Sequence, residues 1–299
     1  MNFRDADALP NPVLLDPWDA DRLHAAFPFP AVDANKYSRG VLTVIAGSKL
    51  YPGAACLASR AGQLTGAGYT QLITAKSVGR MAVAAYPSLV ARDIREFDAA
   101  RLSVLKPGAR KAVCIGPGFE PKGKRNRQTL ARVLEQAVCP VLVDGGALAA
   151  LCSQEVRSAL QARVWDGRTT VITPHAGEAR RLGEGLGILR SDSVQLAVAI
   201  SEATGAVTVL KGPDTLIANG AQVYVMREGT AALAKAGTGD VLAGMIASLL
   251  AQGVAAFDAA VLGTTLHARA GNLAADDLGI VSVTPESLLE YLPRAIQTI

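Results

Sequence analysis

The chain has 299 residues, of which half are hydrophobic, 5% are aromatic and 29 are glycine. This length and composition suit one large α/β domain with close helix–sheet packing, and they allow a sizeable buried core. The formal net charge of +4, from 30 basic and 26 acidic residues, mildly favours anionic ligands and does not demand nucleic acid.

The spacing of cysteine and histidine argues against a disulfide framework or a zinc site. Cys56, Cys114, Cys139 and Cys152 show no CxxC spacing, and the three histidines are far apart. The N-terminus is polar and acidic, unlike a signal peptide, and no apolar run approaches the length of a membrane helix. The sequence therefore predicts a soluble, cytoplasmic protein with buried, reduced thiols.

Most of the chain alternates between two kinds of segment. Residues 1–35 are rich in Pro and Asp, and we interpret them as an N-terminal leader with short helix or coil. From Lys36 to the C-terminus, short apolar runs that end in Gly or Pro alternate with stretches of helical periodicity. This alternation is typical of a parallel sheet covered by helices on both faces. The predicted strands are VLTVIAGS (41–48), YTQLITA (69–75), AVCIGPG (112–118), PVLVDGG (140–146), TTVITPH (169–175) and VTVLKG (207–212).

The pattern changes after residue 212. The segment TLIANGAQVYVMRE (215–228) predicts two strands joined by an Asn-Gly turn. Residues 240–253 predict a helix with one apolar stripe and a terminal glycine. The fold prediction is a single doubly wound α/β domain with a mostly parallel sheet and a late antiparallel hairpin.

The segment AGTGD (236–240), at the start of that helix, is the strongest candidate for chemistry. Glycines let successive backbone N–H groups point outward together, and a helix N-terminus adds partial positive charge, so the segment suits a phosphate. Asp240 would then lie beside the phosphate, where a carboxylate can take a proton from an attacking hydroxyl. The alternative is that Asp240 only caps the helix.

Three further segments follow predicted strands, at the edge where ligands of open α/β sheets bind. Gly116-Pro117-Gly118 permits close approach of a ligand, or is a plain tight turn. His175, in TPHAGE (173–178), is a candidate ligand contact or a structural turn residue. Lys211, in VLKG (209–212), could meet a phosphate or be an exposed strand-end lysine. We interpret His267, within an apolar helical segment, as a hydrogen-bonded core residue and not as a ligand contact.

Two common nucleotide motifs are absent from the sequence. There is no GxxxxGK[ST] and no clean GxGxxG in the first βα unit, so neither a P-loop enzyme nor a conventional Rossmann dehydrogenase is expected. The basic segment PKGKRNR (121–127) is predicted to be a solvated surface turn. The alternative is that it grips the phosphates of a dinucleotide or a neighbouring subunit.

Taken in order, seven segments resemble the ADP/ATP-dependent NAD(P)H-hydrate dehydratases, which are members of the ribokinase-like superfamily. The resemblance runs from about Lys36 to the C-terminus. It is carried by KYSRG (36–40), VIAGSKLYPGAACLA (44–58), IGPG (115–118), VDGGAL (143–148), TPHAGE (173–178), VLKG (209–212) and ALAKAGTGDVLAGMIASLLAQG (232–253).

The resemblance implies a specific reaction and set of residues. Hydrated NADH or NADPH would be phosphorylated on its ring hydroxyl by ADP or ATP, and loss of phosphate would restore the double bond. Mg²⁺, held mainly by phosphates and waters, and a homo-oligomeric assembly are also expected. Asp240 would be the general base, and Gly237, Thr238 and Gly239 would hold the transferred phosphoryl group. The hydrated dinucleotide would meet Gly53, Ala54, Ala55, Gly116, Gly118, His175 and Asp240; the nucleotide would meet Lys211, Gly212, Gly229, Thr230, Ala231, Ala232 and Gly239.

Two other functions share parts of this pattern. A ribokinase-like kinase of a small alcohol, such as a vitamin precursor, would use the same phosphate loop and Asp240, but the TPHAGE and IGPG segments favour the dehydratase. A catalytically silent nucleotide-binding protein on the same fold would have no need of Asp240. No nucleic-acid recognition motif is present.

Overall fold

The computed structural model describes residues 10–104, 108–121 and 123–299. Within these residues the chain forms one ten-stranded sheet with helices on both faces. The strands are β1 (Val13–Leu14), β2 (Val41–Ile45), β3 (Tyr69–Thr74), β4 (Val90–Asp93), β5 (Lys111–Ile115), β6 (Val141–Val143), β7 (Thr170–Ile172), β8 (Val207–Leu210), β9 (Thr215–Asn219) and β10 (Gln222–Met226).

Helices connect the strands and extend the chain to its C-terminus. They are α1 (Ala20–Ala26), α2 (Pro52–Leu64), α3 (Lys76–Ala85), α4 (Lys124–Gln136), α5 (Gln154–Trp165), α6 (Ala176–Leu186), α7 (Ser193–Thr204), α8 (Thr238–Ala251), α9 (Ala256–Leu278) and α10 (Pro285–Ile296). Short 3₁₀ helices lie at Ile94–Glu96, Ala99–Leu102, Gly145–Cys152 and Ala231–Leu233. Within the described ranges, no helix is both long enough and apolar enough to span a membrane.

The strand order in the sheet is β1-β10-β9-β8-β7-β6-β5-β2-β3-β4. Neighbouring strands are parallel except at β8–β9 and β9–β10, which are antiparallel. The prediction of a mostly parallel sheet with a late antiparallel hairpin is therefore confirmed. Because β2 and β5 to β8 run in one direction, the loops after them meet at one edge of the sheet, where such folds bind ligands.

Two strands and one helix start differ from the sequence predictions. The edge strand β4 was not predicted because its residues are polar or only partly buried. The two-residue β1 lies within the predicted leader and pairs in parallel with β10. The predicted surface turn at 121–127 is wrong for residues 124–127, which form the first turn of α4; residue 122 lies outside the described residues.

The core has two layers, one on each face of the sheet. Successive side chains of a strand point to opposite faces. On β5, Val113 and Ile115 pack towards α4 and α5, whereas Ala112 and Cys114 pack towards α8 and α9. This alternation explains why the apolar runs are nearly continuous in sequence.

Helices α2 and α8 approach each other at backbone distance. A Cβ atom on Gly244 of α8 would stand 2.1 Å from the carbonyl oxygen of Ala58 on α2, so only glycine fits there. The Ser248 hydroxyl donates a hydrogen bond to the Gly62 carbonyl at 2.8 Å and accepts one from the Ala67 amide at 3.1 Å. The helix that carries Asp240 is thereby fastened to α2.

A buried cation joins α5 to the loops around β6 and β7. The side chain of Arg163 is fully buried, and burial lowers its pKa to about 10. Its guanidinium donates to the hydroxyl of Thr170 and to four carbonyl oxygens, those of Leu134, Ala137, Cys139 and Thr169. The carbonyl of Thr169 also accepts from the Val141 amide and that of Ala137 from Arg168, whereas the carbonyls of Leu134 and Cys139 depend on Arg163 for their donor within the described residues.

Candidate active site

The start of α8 forms an open anion-binding turn. Gly237 is the N-cap residue, with a φ of +99° that favours glycine. The Thr238 hydroxyl donates to the carbonyls of Leu233 and Lys235, at 2.8 and 2.9 Å, and so fixes the turn. The Thr238 amide donates to the Lys235 carbonyl at 3.4 Å. No side chain in the described part of the chain caps the helix, so the amides of Gly239 and Asp240 are left for an anion. The alternative that Asp240 is the helix cap is therefore wrong.

Asp240 has the proton affinity of a base that works near neutral pH. Its pKa rises from 3.8 to about 7, chiefly because the carboxyl is partly buried. The neighbouring Asp144 carboxylate raises the pKa further, Lys211 opposes this effect, and Glu178 adds a smaller increase. A carboxyl group in this state can both accept and release a proton at physiological pH.

An ion pair lies next to Asp240. The Lys211 ammonium contacts the Asp144 carboxylate at 3.0 Å, and the Thr173 hydroxyl donates to the same oxygen at 2.6 Å. A Cβ atom on Gly239 would stand 3.3 Å from the Lys211 ammonium, which places this cation against the phosphate turn. Asp144 was not predicted as a site residue, although a carboxylate directly after the buried β6 strand was a usable signal.

His175 begins a helix, whereas the sequence suggested only a turn. It is the N-cap of α6, and its Nδ1 accepts hydrogen bonds from the amides of Gly177 and Glu178 at 3.0 and 3.4 Å. The Glu178 carboxylate in return accepts from the His175 amide at 2.9 Å. Because Nδ1 is an acceptor, the proton of the neutral ring lies on Nε2. The side chain is 55% exposed, its Nε2 lies 3.5 Å from a carboxylate oxygen of Glu178, and the backbone of His175 pairs with that of Lys211.

A cavity of about 640 Å³ opens beside the phosphate turn. Eight of the predicted residues line it, and Ala232 is buried behind them. These eight are His175, Lys211, Gly212, Gly229, Thr230, Ala231, Thr238 and Gly239. The cavity is also lined by Pro213, Thr215, Met226, Leu233, Ala234, Lys235, Leu242, Thr264 and His267, which were not predicted as ligand contacts.

The other predicted dinucleotide residues lie in the first turn of α2 and on the loop after β5. A Cβ atom on Gly118, whose φ is +69°, would stand 2.7 Å from the Ala54 Cβ, so this loop touches the start of α2. Gly53 faces open space. In contrast, Ala55 is fully buried, and Gly116 is buried against the backbone of Asp144, so the structure does not bring either to the surface.

His267 is a hydrogen-bonded core residue, as predicted. The residue is 7% exposed, and its Nε2 lies 2.9 Å from the carbonyl oxygen of Thr238. Burial lowers its pKa to about 4, so the ring is neutral and Nε2 donates to that carbonyl. His267, on α9, thus stabilises the start of α8 from the protein core.

Comparisons with known proteins agree with this geometry. The family described as NAD(P)H-hydrate dehydratase matches residues 42–294. The ADP-dependent (S)-NAD(P)H-hydrate dehydratase of Xanthomonas campestris pv. campestris is 35% identical over 291 residues, covering 90% of this chain and 94% of that protein. The bifunctional NAD(P)H-hydrate repair enzyme of Thermofilum pendens is 32% identical over 280 residues, and the chain spans only 52% of its length. The ADP/ATP-dependent NAD(P)H-hydrate dehydratase from Bacillus subtilis, co-crystallised with ATP and Mg²⁺, superposes with a TM-score of 0.77 at 28% identity, covering 94% of this chain and 97% of that one.

Proposed function

The chain belongs to the NAD(P)H-hydrate dehydratase family of the ribokinase-like superfamily, and on that premise we propose that it uses ADP to restore NADH and NADPH from the S epimers of their hydrates. The X. campestris relative supports this reaction by its name and by its near-complete overlap with this chain. The proposed role is metabolite repair, because hydration of the nicotinamide ring removes the cofactor from use.

The proposed reaction has two steps. The ring hydroxyl attacks the terminal phosphorus of ADP, so that an O–P bond forms, AMP leaves, and the hydroxyl proton passes to Asp240. The phosphate ester then loses phosphate together with a ring proton, and the double bond is restored. Hydrated NADH and ADP are consumed, and NADH, AMP, phosphate and one proton are released. Phosphorylation is needed because hydroxide is a poor leaving group and phosphate is a good one.

The pairing of Asp240 with the uncapped start of α8 carries this proposal. The amides of Gly239 and Asp240 would bind the transferred phosphoryl group, where charge accumulates in the transition state. Asp240 is the third residue of the same helix, and its pKa of about 7 suits removal of the hydroxyl proton. A base and an anion site on one helical turn are what a phosphoryl transfer to an alcohol requires.

The predicted nucleotide-binding residues and the predicted dinucleotide-binding residues would each bind one of the two ligands. We assign the nucleotide to the 640 Å³ cavity, with its phosphates towards Lys211 and Gly239. We assign the hydrated ring to the start of α2 at Gly53 and to the loop that carries Gly118. The exposed Nε2–H of His175 would donate a hydrogen bond to one of the two ligands.

Mg²⁺ would accompany the nucleotide. The B. subtilis relative was co-crystallised with ATP and Mg²⁺. Among the described residues, no group of three or more His, Cys, Asp or Glu side chains is arranged to hold a metal ion. Mg²⁺ commonly keeps several waters and binds substrate phosphates, so these residues fit an ion held mainly by the nucleotide and water. When bound, it neutralises phosphate charge. The homo-oligomeric state stays a prediction.

Recovery of absorbance at 340 nm tests the proposal. We expect purified protein, Mg²⁺ and ADP to convert hydrated NADH to NADH and to release free phosphate. Asp240→Asn should lower kcat by at least about 10²-fold, as expected for loss of a general base. The matched control is Asp258→Asn, since Asp258 also lies in the first turn of a helix and burial also raises its pKa. A stable phosphorylated alcohol with no recovery of absorbance would instead support the small-alcohol kinase.

A further inference from the structure

Asp144 holds a buried charge that the proposed chemistry does not use. The residue is 2% exposed and directly follows β6, in the middle of the parallel strands. One of its carboxylate oxygens accepts hydrogen bonds from the Thr173 hydroxyl at 2.6 Å and from the Lys211 ammonium at 3.0 Å. A buried carboxylate is costly unless it is paired in this way. A buried carboxylate that is paired in this way at the centre of the site points to a role for Asp144.

The partner of Asp144 is held against the phosphate turn. The Lys211 side chain is 20% exposed, and its ammonium would lie 3.3 Å from a Cβ atom at position 239. Gly239 has no side chain, so nothing separates the ammonium from the start of α8. Burial alone would lower the pKa of Lys211, but Asp144, with smaller effects from Glu178 and Asp240, raises it overall. Lys211 is therefore a full positive charge at this turn.

Three carboxylates act on that single positive charge. Asp144, Glu178 and Asp240 all raise the pKa of Lys211, and Lys211 in turn lowers the pKa of Asp240. A lysine has a long flexible side chain and can move between nearby acceptors. Paired with Asp240, the ammonium would be less available to a phosphate and would hold the base in its ionised, weakly basic form.

We infer that Asp144 is a positioning residue, which keeps the Lys211 ammonium against Gly239 and away from the carboxylates of Glu178 and Asp240. Asp144 touches neither the proposed nucleotide nor the reacting hydroxyl, and it acts through Lys211. The roles of Lys211 and Asp240 in this inference rest on the proposed function.

The direction in which Asp144→Asn changes the Kd for ADP distinguishes this positioning role from a direct charge effect of Asp144 on the phosphates. If Lys211 stayed in place, Asp144→Asn would remove a negative charge near the phosphates, and ADP would bind as well as before or more tightly. If Asp144 positions Lys211, the ammonium moves towards Glu178 or Asp240 in this variant and ADP binding weakens. Loss of one charge-assisted contact corresponds to about a tenfold rise in Kd.

Isothermal titration of Mg²⁺ and ADP into four proteins tests the inference at pH 8, where Asp240 is ionised. We expect a Kd about tenfold higher for Asp144→Asn than for the wild type. The double variant Asp144→Asn/Asp240→Asn removes one of the two competing carboxylates and leaves Glu178, so its Kd should lie below that of Asp144→Asn. The matched control Thr173→Val removes only the hydroxyl that donates to Asp144; both charges remain, and its Kd should stay within about twofold of the wild type.

Each outcome decides the inference. Equal or tighter ADP binding by Asp144→Asn, or a double variant that binds as weakly as the single one, would overturn it, and so would a wild type that does not bind ADP. A wild type that binds ADP but does not dehydrate hydrated NADH would overturn the proposed function alone, because the titration series does not depend on turnover. Circular dichroism of all four proteins checks that each is folded.

Discussion

The substitution Asp240→Asn should raise the free energy of unfolding at neutral and alkaline pH, but not at acidic pH. The folded-state pKa of Asp240 is about 7, against an ordinary value of 3.8, so the folded protein holds a proton that the unfolded chain releases. Because the unfolded state binds fewer protons between about pH 4 and 7, the free energy of unfolding falls as the pH rises through this window. The Asp240→Asn variant has no ionisable group at this position, so its free energy of unfolding does not fall for this reason as the pH rises.

The size of the effect follows from the pKa difference. A shift of one pKa unit corresponds to 1.36 kcal/mol, so the shift at Asp240 sets an upper bound of about 4 kcal/mol. Partial exposure of the carboxyl reduces the expected gain to about 1–3 kcal/mol. For a domain of this size, that gain corresponds to a rise in Tm of about 2–6 °C at pH 8. At pH 4 the variant and the wild type should melt together.

Thermal melts followed by circular dichroism at pH 4, 6 and 8 measure this difference. The control is Asp93→Asn, the same chemical change at a carboxyl whose pKa is lowered to about 2, chiefly by hydrogen bonds from Arg95. Because its folded-state pKa is lowered, replacing Asp93 by Asn should not raise Tm at pH 8. A Tm difference for Asp240→Asn that does not depend on pH, or that has the opposite sign at pH 8, would refute the reasoning.

Two further predictions test the packing and the substrate loops. Arg163→Met should lower the free energy of unfolding by at least about 3 kcal/mol in urea, because four carbonyls lose their buried donor. Arg132→Met, at an exposed position on α4, should change it by less than about 0.5 kcal/mol, and similar losses for both would contradict this account. Gly53→Ala adds a methyl group that meets no protein atom within 4 Å, at a position inside α2, so Tm should stay the same or rise slightly. If this turn contacts the hydrated ring, the KM for hydrated NADH should rise about tenfold while that for ADP stays constant; an unchanged KM for both would remove Gly53 from the site.

The sequence predicts the strands well where burial is two-sided. Strands β2 and β5 to β8 are apolar runs followed within two residues by Gly or Pro, and β3 is recognised by its β-branched and aromatic residues, so their existence and order follow from local pattern alone. Strand β4 has one exposed edge and polar residues, and β1 exists only because β10 offers it a partner. Pairing of this kind depends on tertiary contacts that no local pattern reports.

The site is predictable only in part, for a similar reason. The AGTGD segment and Lys211 could be proposed because their residue types fit an anion site. Asp144 and Lys211 are 67 residues apart, and only the folded sheet makes them an ion pair. Glu178 likewise gains its meaning from His175, whose ring it orients at the start of α6. Conversely, Ala55 and Gly116 match family motifs, but their surroundings are filled by the protein itself.

The tight contact between α2 and α8 has a mechanical consequence. Gly244 and Ser248 of α8 meet the backbone of α2 directly, so these helices move as one rigid piece. Asp240 at the start of α8 and the loop before α2 therefore keep a fixed separation while ligands come and go. Leu233 and Lys235 are fastened to the same helix by the Thr238 hydroxyl, so the segment before α8 belongs to this piece as well. The groups proposed to react are thereby kept aligned by packing that is in place before any ligand binds.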